Sequence, residues 1–270
     1  MRFVETVMGI PMSIDIRDAG DHSDAAARAF AVLREADARF SVYRPDSEVS
    51  AANRGELGPS AFSADLAETI ALGEEAERAS GGAFRIHRPE GTLDLDGVVK
   101  GWAAARAAGE LRAGGVRRFC LNAGGDVVVG DGPGGDGSER DREGGAGEGG
   151  AGEGVAAVDA WNVGVRTPAD PAAMLAVLSV SNAAVATSGA YERGAHIVDG
   201  RTGAPATGLL SATVIADDLT TADILATAVF ALGPAGIDWA VLRGARGVLA
   251  LTDAGELLGA GVIDFAHPLA

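Results

Sequence analysis

The sequence of 270 residues has little cysteine and little positive charge. Its one cysteine, Cys120, cannot form an internal disulfide, and the apolar residues Phe119 and Leu121 beside it favour a buried free thiol over a reactive one. Lys and Arg together number 22 against 38 Asp and Glu, which gives a formal net charge of −16. Because nucleic acids and anionic membrane surfaces repel a chain this acidic, we expect neither as a partner.

Long apolar runs are also missing. Residues 1–10 lack the unbroken apolar segment of a signal peptide and have no cysteine for a lipid anchor. No later stretch reaches the roughly 18 apolar residues that are needed to span a bilayer. We therefore expect a cytoplasmic protein with no membrane insertion.

Glycine is abundant by contrast, and it is concentrated between residues 131 and 155, where eleven of 25 residues are glycine. This segment has no apolar periodicity and buries too little surface to offset the entropy of ordering it. We expect a disordered Gly/Glu-rich loop at 131–155 that joins two adjacent strands. Because this loop is an insertion and not a boundary, residues 1–270 are expected to form a single domain.

Helical and strand patterns are mixed along the rest of the chain without regular βαβ alternation, which predicts an α+β fold. The predicted helices are Asp21–Phe40, Ser63–Ala79, Val98–Leu111, Thr221–Ala231 and Pro234–Arg243. The predicted strands are Met12–Arg17, Phe119–Val129 with an interruption at Gly124 and Gly125, Trp161–Arg166, residues 175–180, residues 195–199, Ala212–Ala216, and a hairpin of Gly247–Thr252 with Glu256–Val262.

A carboxylate and a hydroxyl lie one turn apart on the helix that opens at Thr220 or Thr221. Asp223 and Thr227 are four residues apart and so share one helix face. Their oxygen atoms suit Mg²⁺, and the helix N-terminus favours a bound phosphate. An aspartate in a first helical turn also commonly offsets the helix dipole, so this motif alone leaves both interpretations open.

Two further patterns offer groups for phosphate chemistry. His196 precedes a tight turn at 199–203 and could accept the proton of an attacking hydroxyl near neutral pH, although a lone histidine in a strand is more often structural. Asp94, Gly97 and Lys100 fall at three-residue steps where a strand turns into a helix. There a lysine could neutralise a phosphate and a glycine carbonyl could reach a metal, or the lysine could simply be exposed.

Taken in order, the short motifs of this chain resemble those of the ApbE flavin transferase family. They cover nearly the whole chain outside residues 131–155, and their co-occurrence makes the resemblance specific. The motifs are Met8-Gly9, Phe40-Ser41-Val42-Tyr43, Ser47-Glu48-Val49-Ser50, Asn53, Gly82-Ala83-Phe84, Val99-Lys100-Gly101-Trp102-Ala103, Asn122-Ala123-Gly124-Gly125-Asp126, Ala186-Thr187-Ser188-Gly189, His196-Ile197-Val198-Asp199, and Ala222-Asp223 through Thr227.

The resemblance implies an FAD:protein FMN transferase with mixed, mainly antiparallel sheets, packed helices and an FAD cleft between two lobes. Such an enzyme splits FAD with Mg²⁺, attaches FMN through a phosphoester to a threonine or serine hydroxyl of an acceptor protein, and releases AMP. By this resemblance His196 is the general base, and the metal ligands are Asp223, Thr227, the Gly97 carbonyl and Thr220. The implied FAD contacts are Met8, Tyr43, Ala83, Phe84, Arg85, Asp94, Lys100, Asp126 and Ile197.

The chain also departs from many members of the family. Arg85, Gly200 and Ala105 stand where they have Asp, Pro and Asp, and the long stretch that they carry between Phe84 and Asp94 is missing. This compact form resembles the shorter, soluble branch of the family. Two alternatives stay open: an Mg²⁺-dependent FAD pyrophosphatase, in which water replaces the acceptor hydroxyl and FMN and AMP are released, and a non-catalytic FAD-binding protein.

Overall fold

The computed structural model describes residues 1–134, 159–189 and 197–267, and it has the predicted α+β fold. The helices are α1 (Ser23–Phe40), α2 (Glu48–Asn53), α3 (Ala64–Ala79), α4 (Asp96–Ala113), α5 (Leu219–Leu232) and α6 (Gly236–Val241), with short 3₁₀ helices at Pro59–Ala61 and Gly233–Ala235. The strands are β1 (Arg2–Val7), β2 (Ile10–Ile16), β3 (Phe119–Ala123), β4 (Asp126–Val129), β5 (Trp161–Thr167), β6 (Asp170–Val180), β7 (Ala183–Gly189), β8 (Val198–Asp199), β9 (Ala204–Pro205), β10 (Leu209–Ala216), β11 (Gly247–Thr252) and β12 (Leu257–Gly261).

Eight strands form one sheet in the order β1-β2-β3-β4-β7-β10-β11-β12, and every neighbouring pair is antiparallel. Short turns join β1 to β2, β3 to β4, and β11 to β12, and such turns can only connect antiparallel neighbours. Between β4 and β7 the chain leaves this sheet to form the separate hairpin β5–β6. The prediction of mainly antiparallel sheets with packed helices is confirmed.

Both faces of the eight-stranded sheet are covered, which explains why its central strands are apolar on both sides. On one face α1, α4 and α5 close the larger hydrophobic core, which includes Phe30, Leu121 and Val214. On the other face the hairpin β5–β6 closes a smaller core, which includes Val185 and Ile215. Because side chains alternate along a strand, consecutive residues of β10 enter opposite cores.

Helix α5 is the most apolar helix of the larger core. With its continuation into α6, the stretch Leu219–Val241 has a mean hydropathy of 1.6 and is long and apolar enough to cross a membrane by length and composition. The expectation that no stretch reaches this length is therefore wrong. In the fold, 61% of the most apolar window is buried, and α5 packs against both the sheet and α4.

Side-chain caps set where several helices begin. Ser63 caps α3 close to the predicted start. Asp218 caps α5 by accepting a hydrogen bond from the Thr221 N–H at 3.0 Å, so this helix begins at Leu219, two residues before the prediction. Ser47 caps α2, a helix that the prediction missed because it is only six residues long.

Two predictions about the strands are wrong. Residues Phe119–Val129 form a hairpin and not one interrupted strand, because Gly124 and Gly125 have φ of +70° and +113° and reverse the chain between β3 and β4. The segment at 131–155 does not join adjacent strands, since β4 lies in the eight-stranded sheet and β5 in the separate hairpin. Residues 135–158 lie outside the described residues, so the disorder of this segment stays a prediction.

Cys120 lies half-buried on β3 and packs against the smaller core. Burial, aided by the nearby negative charge of Asp15, raises the pKa of its thiol to about 11. The thiol therefore stays protonated at neutral pH and is a poor nucleophile, as expected of a structural cysteine.

Helices α4 and α5 approach each other closely at Gly101. A Cβ atom built on Gly101 would lie 2.5 Å from the carbonyl oxygen of Leu219 and 2.7 Å from Cβ of Asp223. The Gly101 N–H donates a hydrogen bond to Asp223 Oδ2 at 2.9 Å. Only glycine fits this crossing, and the crossing sets the first turns of the two helices side by side.

Replacing Gly101 by alanine should force the two helices apart, because the Leu219 carbonyl oxygen belongs to the backbone and cannot rotate away. We expect Gly101→Ala to lower the free energy of unfolding by about 1–3 kcal/mol, the usual cost of overpacking a core. Urea denaturation followed by circular dichroism measures this change.

Gly109→Ala is the matched control. It lies on the same helix, and an added Cβ would meet no atom of the described residues within 4 Å. We expect this variant to be more stable than the wild type by up to about 1 kcal/mol, because alanine favours a helix over glycine. A Gly101→Ala protein as stable as the wild type would contradict the close approach of α4 and α5.

Candidate functional site

Three charged side chains meet where α4 and α5 face the central sheet. Lys100 Nζ on α4 lies 2.6 Å from Oδ2 of Asp126, the first residue of β4, and 3.6 Å from Oδ1 of Asp223 on α5. Asp126 Oδ1 also accepts a hydrogen bond from the Thr187 N–H of β7 at 2.9 Å, which fixes this carboxylate between two strands. Both carboxylates are buried, whereas 24% of the lysine side chain is exposed. Lys100 is therefore the most exposed charged group of this set.

Asp223 is, with Asp126, one of two carboxyl groups of this site that the fold shields from water. Burial raises its pKa to about 7; Lys100 opposes this shift, and the negative charge of Asp126 adds to it. The hydrogen bond from the Gly101 N–H favours the charged form. Asp223 therefore changes its charge near neutral pH, as groups at functional sites often do.

The charges of this site leave room for a cation. When both carboxylates are ionised, one ammonium group faces two negative charges, and buried negative charge is costly unless it is compensated. Thr227, one turn after Asp223 on α5, adds a hydroxyl oxygen that lies 3.2 Å from the hydroxyl oxygen of Ser188 on β7. Carboxylate and hydroxyl oxygens are ligands that suit Mg²⁺, so the donor groups fit the predicted metal.

Gly97 lies beside these donors, at the start of α4. A Cβ atom on Gly97 would lie 2.9 Å from the Phe84 ring and 3.5 Å from Cγ2 of Thr227. In a regular α-helix the Gly101 N–H donates to the Gly97 carbonyl, so its hydrogen bond to Asp223 competes for that donor. The role of the Gly97 carbonyl oxygen as a metal ligand stays a prediction.

Within the described residues, no group of three or more His, Cys, Asp or Glu side chains could hold a metal ion. A cation at this site would therefore depend on mixed oxygen donors. Thr220 is a further candidate, because it is half-buried in the first turn of α5, three residues before Asp223 and on the same helix face. Its neighbour Thr221 is engaged instead with the capping residue Asp218.

Met8 lies in the β1–β2 turn, at the end of the sheet where the β3–β4 turn leads into Asp126. Met8 is half-buried in the turn between β1 and β2, with φ of +54°. Ile10, which follows this turn, packs so closely on Gly124 that a Cβ at the glycine would collide with it. The β1–β2 turn therefore lies beside the β3–β4 turn that carries Asp126.

Residues that follow α3 form a wall next to α4. Ala83 and Phe84 are buried, and Phe84 faces Gly97. The next residue, Arg85, has 39% of its side chain exposed and pairs with Glu77 at 3.7 Å. Of these three predicted FAD contacts, Phe84 is the one whose side chain lies against Gly97.

The segment after residue 196 is held against this wall. The Gly200 N–H donates a hydrogen bond to the Ala83 carbonyl oxygen at 2.9 Å. Ile197 is half-buried, and its carbonyl oxygen accepts a hydrogen bond from the Ala206 N–H at 3.0 Å. His196 lies outside the described residues, so its role as general base stays a prediction.

Two other predicted FAD contacts lie in different environments: Asp94 is paired with an arginine, and Tyr43 is exposed to solvent. The Asp94 carboxylate accepts two hydrogen bonds from Arg88, the shorter at 2.6 Å, and one from the Asp96 N–H. Arg88 lies on the short segment between Phe84 and Asp94. Tyr43 lies between α1 and α2 with 89% of its surface exposed. Their contacts with FAD stay predictions.

Sequence reasoning did not single out Gly101 and Ser188. Both stand inside the motifs that carry the resemblance, but their roles depend on contacts made across the fold, with Asp223 and Thr227 respectively. A glycine inside a helix costs about 1 kcal/mol relative to alanine. That cost is the signal by which Gly101, directly after Lys100, could have been identified.

Comparison with known proteins points to one family. The ApbE family model matches residues 8–88 and 85–250. An FAD:protein FMN transferase of Rhodobacter capsulatus is 33% identical over 190 residues, which cover 66% of this chain and 31% of that protein. An FAD:protein FMN transferase of Klebsiella pneumoniae (strain 342) is 30% identical over 158 residues, which cover 55% of this chain and 41% of that protein. The chain thus spans well under half the length of these curated relatives.

Solved structures share the whole fold. The flavin transferase ApbE from Vibrio cholerae has a TM-score of 0.76 at 19% identity, and the match covers 98% of this chain and 96% of that one. The apo form of the Pseudomonas stutzeri flavinyl transferase ApbE has a TM-score of 0.73 at 20% identity, with coverage of 98% and 94%. At such low identity the likeness establishes the fold.

The raised pKa of Asp223 predicts how the stability of the metal-free protein depends on pH. An ordinary aspartate has a pKa near 3.8, so between about pH 4 and pH 7 the folded protein holds a proton that the unfolded chain has lost. The stability that this group contributes is therefore complete below about pH 4 and is lost as the pH rises to about 7. Asp223→Asn, which cannot ionise, should be free of this loss.

Urea denaturation of both proteins in EDTA, at steps from pH 5.5 to pH 8, measures the effect. The difference between the free energies of unfolding, Asp223→Asn minus wild type, should rise with pH by up to about 1.4 kcal/mol per pH unit. Above about pH 7 this difference should become constant. A difference that stays constant across this range would show that Asp223 has an ordinary pKa.

Proposed function

The chain belongs to the ApbE family, and from this premise we propose that it is an Mg²⁺-dependent FAD:protein FMN transferase. It transfers FMN from FAD to a threonine or serine hydroxyl of an acceptor protein, forms a phosphoester and releases AMP. The observation that carries the proposal is the buried, net negative site in which Lys100 lies between Asp126 and Asp223, with Thr227 one turn further along α5. Such a site suits a divalent cation and a phosphate together.

The cation would be held by Asp223 and Thr227, with the Gly97 carbonyl and Thr220 as further ligands. When bound, Mg²⁺ offsets the charge on the phosphate oxygens of FAD during the reaction. The Gly101 N–H keeps the Asp223 carboxylate oriented from the side of α4. Nearly complete burial of that carboxylate excludes water, which would otherwise weaken its attraction for a cation.

Lys100 supplies the positive charge on the side of the substrate. It is the only lysine in the sequence, since the other 21 basic residues are arginines. Asp126 holds its ammonium group at 2.6 Å, so the lysine is oriented before a ligand arrives. A compact ammonium on a flexible stem can follow a phosphate group as the transfer proceeds.

The flavin and adenylate parts of FAD would lie along the turns around this centre. The proposed contacts are Met8, Tyr43, Ala83, Phe84, Arg85, Asp94, Asp126 and Ile197, besides Lys100. An FAD cleft between two lobes belongs to the same proposal. Support for this arrangement comes from the shared position of the β1–β2 and β3–β4 turns and from Phe84 beside Gly97.

The chemical step is a phosphoryl-type transfer. The acceptor hydroxyl oxygen attacks the phosphorus on the FMN side of the diphosphate, a new P–O bond forms, and the bond to the AMP oxygen breaks. His196 takes the proton of the acceptor hydroxyl, and AMP leaves with the electron pair of the broken bond. Lys100 remains beside the phosphate oxygens on which negative charge develops.

The reaction is tested by incubating the chain with FAD, MgCl₂ and an acceptor protein encoded beside it. Intact mass of the acceptor and chromatography of the nucleotides are then measured. The proposal expects one covalent FMN on the acceptor and one AMP for each FMN transferred. Free FMN with AMP would indicate a pyrophosphatase instead, and unchanged FAD would indicate a non-catalytic FAD-binding protein.

His196→Ala tests the proposed base in the same assay. We expect transfer to be abolished while FAD affinity, measured by flavin fluorescence, stays close to that of the wild type. The matched control is His22→Ala, because His22 precedes α1 and its ring contacts the Ala19 carbonyl oxygen at an exposed site. Equal transfer by His196→Ala and the wild type would refute the role of His196.

A further inference from the structure

Ser188 is a buried hydroxyl group to which the proposed reaction gives no role. It lies near the end of β7, only 8% of it is exposed, and its Oγ lies 3.2 Å from Oγ1 of Thr227. Either hydroxyl could donate the proton of this hydrogen bond. The two residues are 39 positions apart, so the contact exists only because α5 packs on β7.

A cation bound to Thr227 would fix the direction of this hydrogen bond. A neutral hydroxyl binds a cation through a lone pair on its oxygen, so its proton must point away and needs another acceptor. Ser188 Oγ is within hydrogen-bond distance and has lone pairs to accept that proton. An O–H group buried without an acceptor would make Thr227 a poorer ligand, because the proton would compete with the cation for the same space.

We propose that Ser188 is the positioning residue of the metal site, which accepts the Thr227 proton and so turns the Thr227 oxygen toward the cation. This inference rests on the proposed function, because it requires a divalent cation bound at Thr227. Side chains that orient metal ligands in this way typically change metal affinity by 10–100-fold when they are removed.

The position of Ser188 in the sheet makes it a firm support. Ser188 pairs with Ala212 of β10, and its neighbour Thr187 donates its N–H to Asp126. Strand β7 therefore orients two side chains of the site. Its Thr187 N–H holds Asp126, the partner of Lys100, and its Ser188 is itself the partner of Thr227. A residue on a paired central strand has little freedom to move when the cation binds.

The contrasting possibility is that Ser188 only fills space between β7 and α5. A filler would affect the stability of the metal-free protein and leave metal affinity unchanged. An orienting hydrogen bond would change metal affinity as well, beyond the cost of losing one buried hydrogen bond. The two roles therefore differ in a readout that does not depend on activity.

The test is a titration of Mn²⁺ into the full-length protein with FAD present, followed by electron paramagnetic resonance of the free ion. We expect Ser188→Ala to weaken Mn²⁺ binding by 10–100-fold, whereas the metal-free melting temperature falls only by the cost of one buried hydrogen bond. Ser188→Cys keeps nearly the same volume but offers a weaker acceptor. Its Mn²⁺ affinity should therefore lie between that of the wild type and that of Ser188→Ala. This second variant keeps the test decisive if Ser188→Ala folds poorly.

Ser211→Ala is the matched control. Ser211 is also a buried serine, on β10, and its Oγ has no hydrogen-bond partner among the described residues. It pairs with Gly189, whereas Ser188 pairs with Ala212, so its side chain enters the opposite face of the sheet. The same chemical change there should leave Mn²⁺ affinity within twofold of the wild type.

A double mutant separates coupling from general damage. In a Thr227→Val background, where the hydroxyl ligand is gone, adding Ser188→Ala should change Mn²⁺ affinity by less than twofold. Ser188→Ala with wild-type affinity would overturn the role of Ser188, while transfer of FMN by the wild type would leave the proposed function standing. A wild-type protein that binds no Mn²⁺ and transfers no FMN would overturn both.

Discussion

The crossing of α4 and α5 at Gly101 is the contact on which the candidate site depends. At this point the two helices are so close that a single methyl group would strike the backbone of α5. The contact brings Lys100 and Gly97 on α4 to Asp223 and Thr227 on α5, and it supplies the N–H that orients the Asp223 carboxylate. Packing and chemistry are thus set by the same residue, since Gly101 makes the space and also provides the donor.

A second constraint comes from the sheet, which is covered on both faces. Its central strands are therefore almost wholly apolar, and the few polar side chains on them stand out. Asp126 and Ser188 lie on the helical face of β4 and β7, where they meet groups from α4 and α5. Buried carboxylates destabilise a fold unless they are paired, and here two of them share a single ammonium group. When both carboxylates are ionised, that pairing is incomplete, and the site has a net negative charge.

Much of this could be predicted from the sequence, and the reasons for success and failure are physical. Helix α3 was located closely because Ser63 is a strong cap, and the last hairpin because the turn around Gly255 divides two apolar runs. Strand β7 was missed because its alanine-rich sequence carries little β-propensity, and only its pairing between β4 and β10 makes it a strand. The two-residue turn at Gly124 was taken for an irregular strand because both interpretations call for glycine.

The site itself divides in the same way. Spacing along one helix was sufficient to pair Asp223 with Thr227, and the three-residue steps from Asp94 suggested Lys100. The resemblance added Asp126. Gly101 contacts Asp223, 122 positions away in the sequence, and Ser188 contacts Thr227, 39 positions away. No local sequence pattern predicts contacts between residues so far apart in the chain. The exposure of Tyr43 and the pairing of Asp94 with Arg88 depend likewise on tertiary structure.

The central claim is that Asp223 and Thr227 hold a divalent cation beside Lys100 when FAD is bound. The most direct measurement is an anomalous difference map from a crystal of the protein with FAD and Mn²⁺. We expect a strong anomalous peak against the Asp223 carboxylate and the Thr227 hydroxyl, with the FAD diphosphate between that peak and Lys100. A peak held by other residues, or no peak while Asp223 stays bonded only to Gly101 and Lys100, would contradict it.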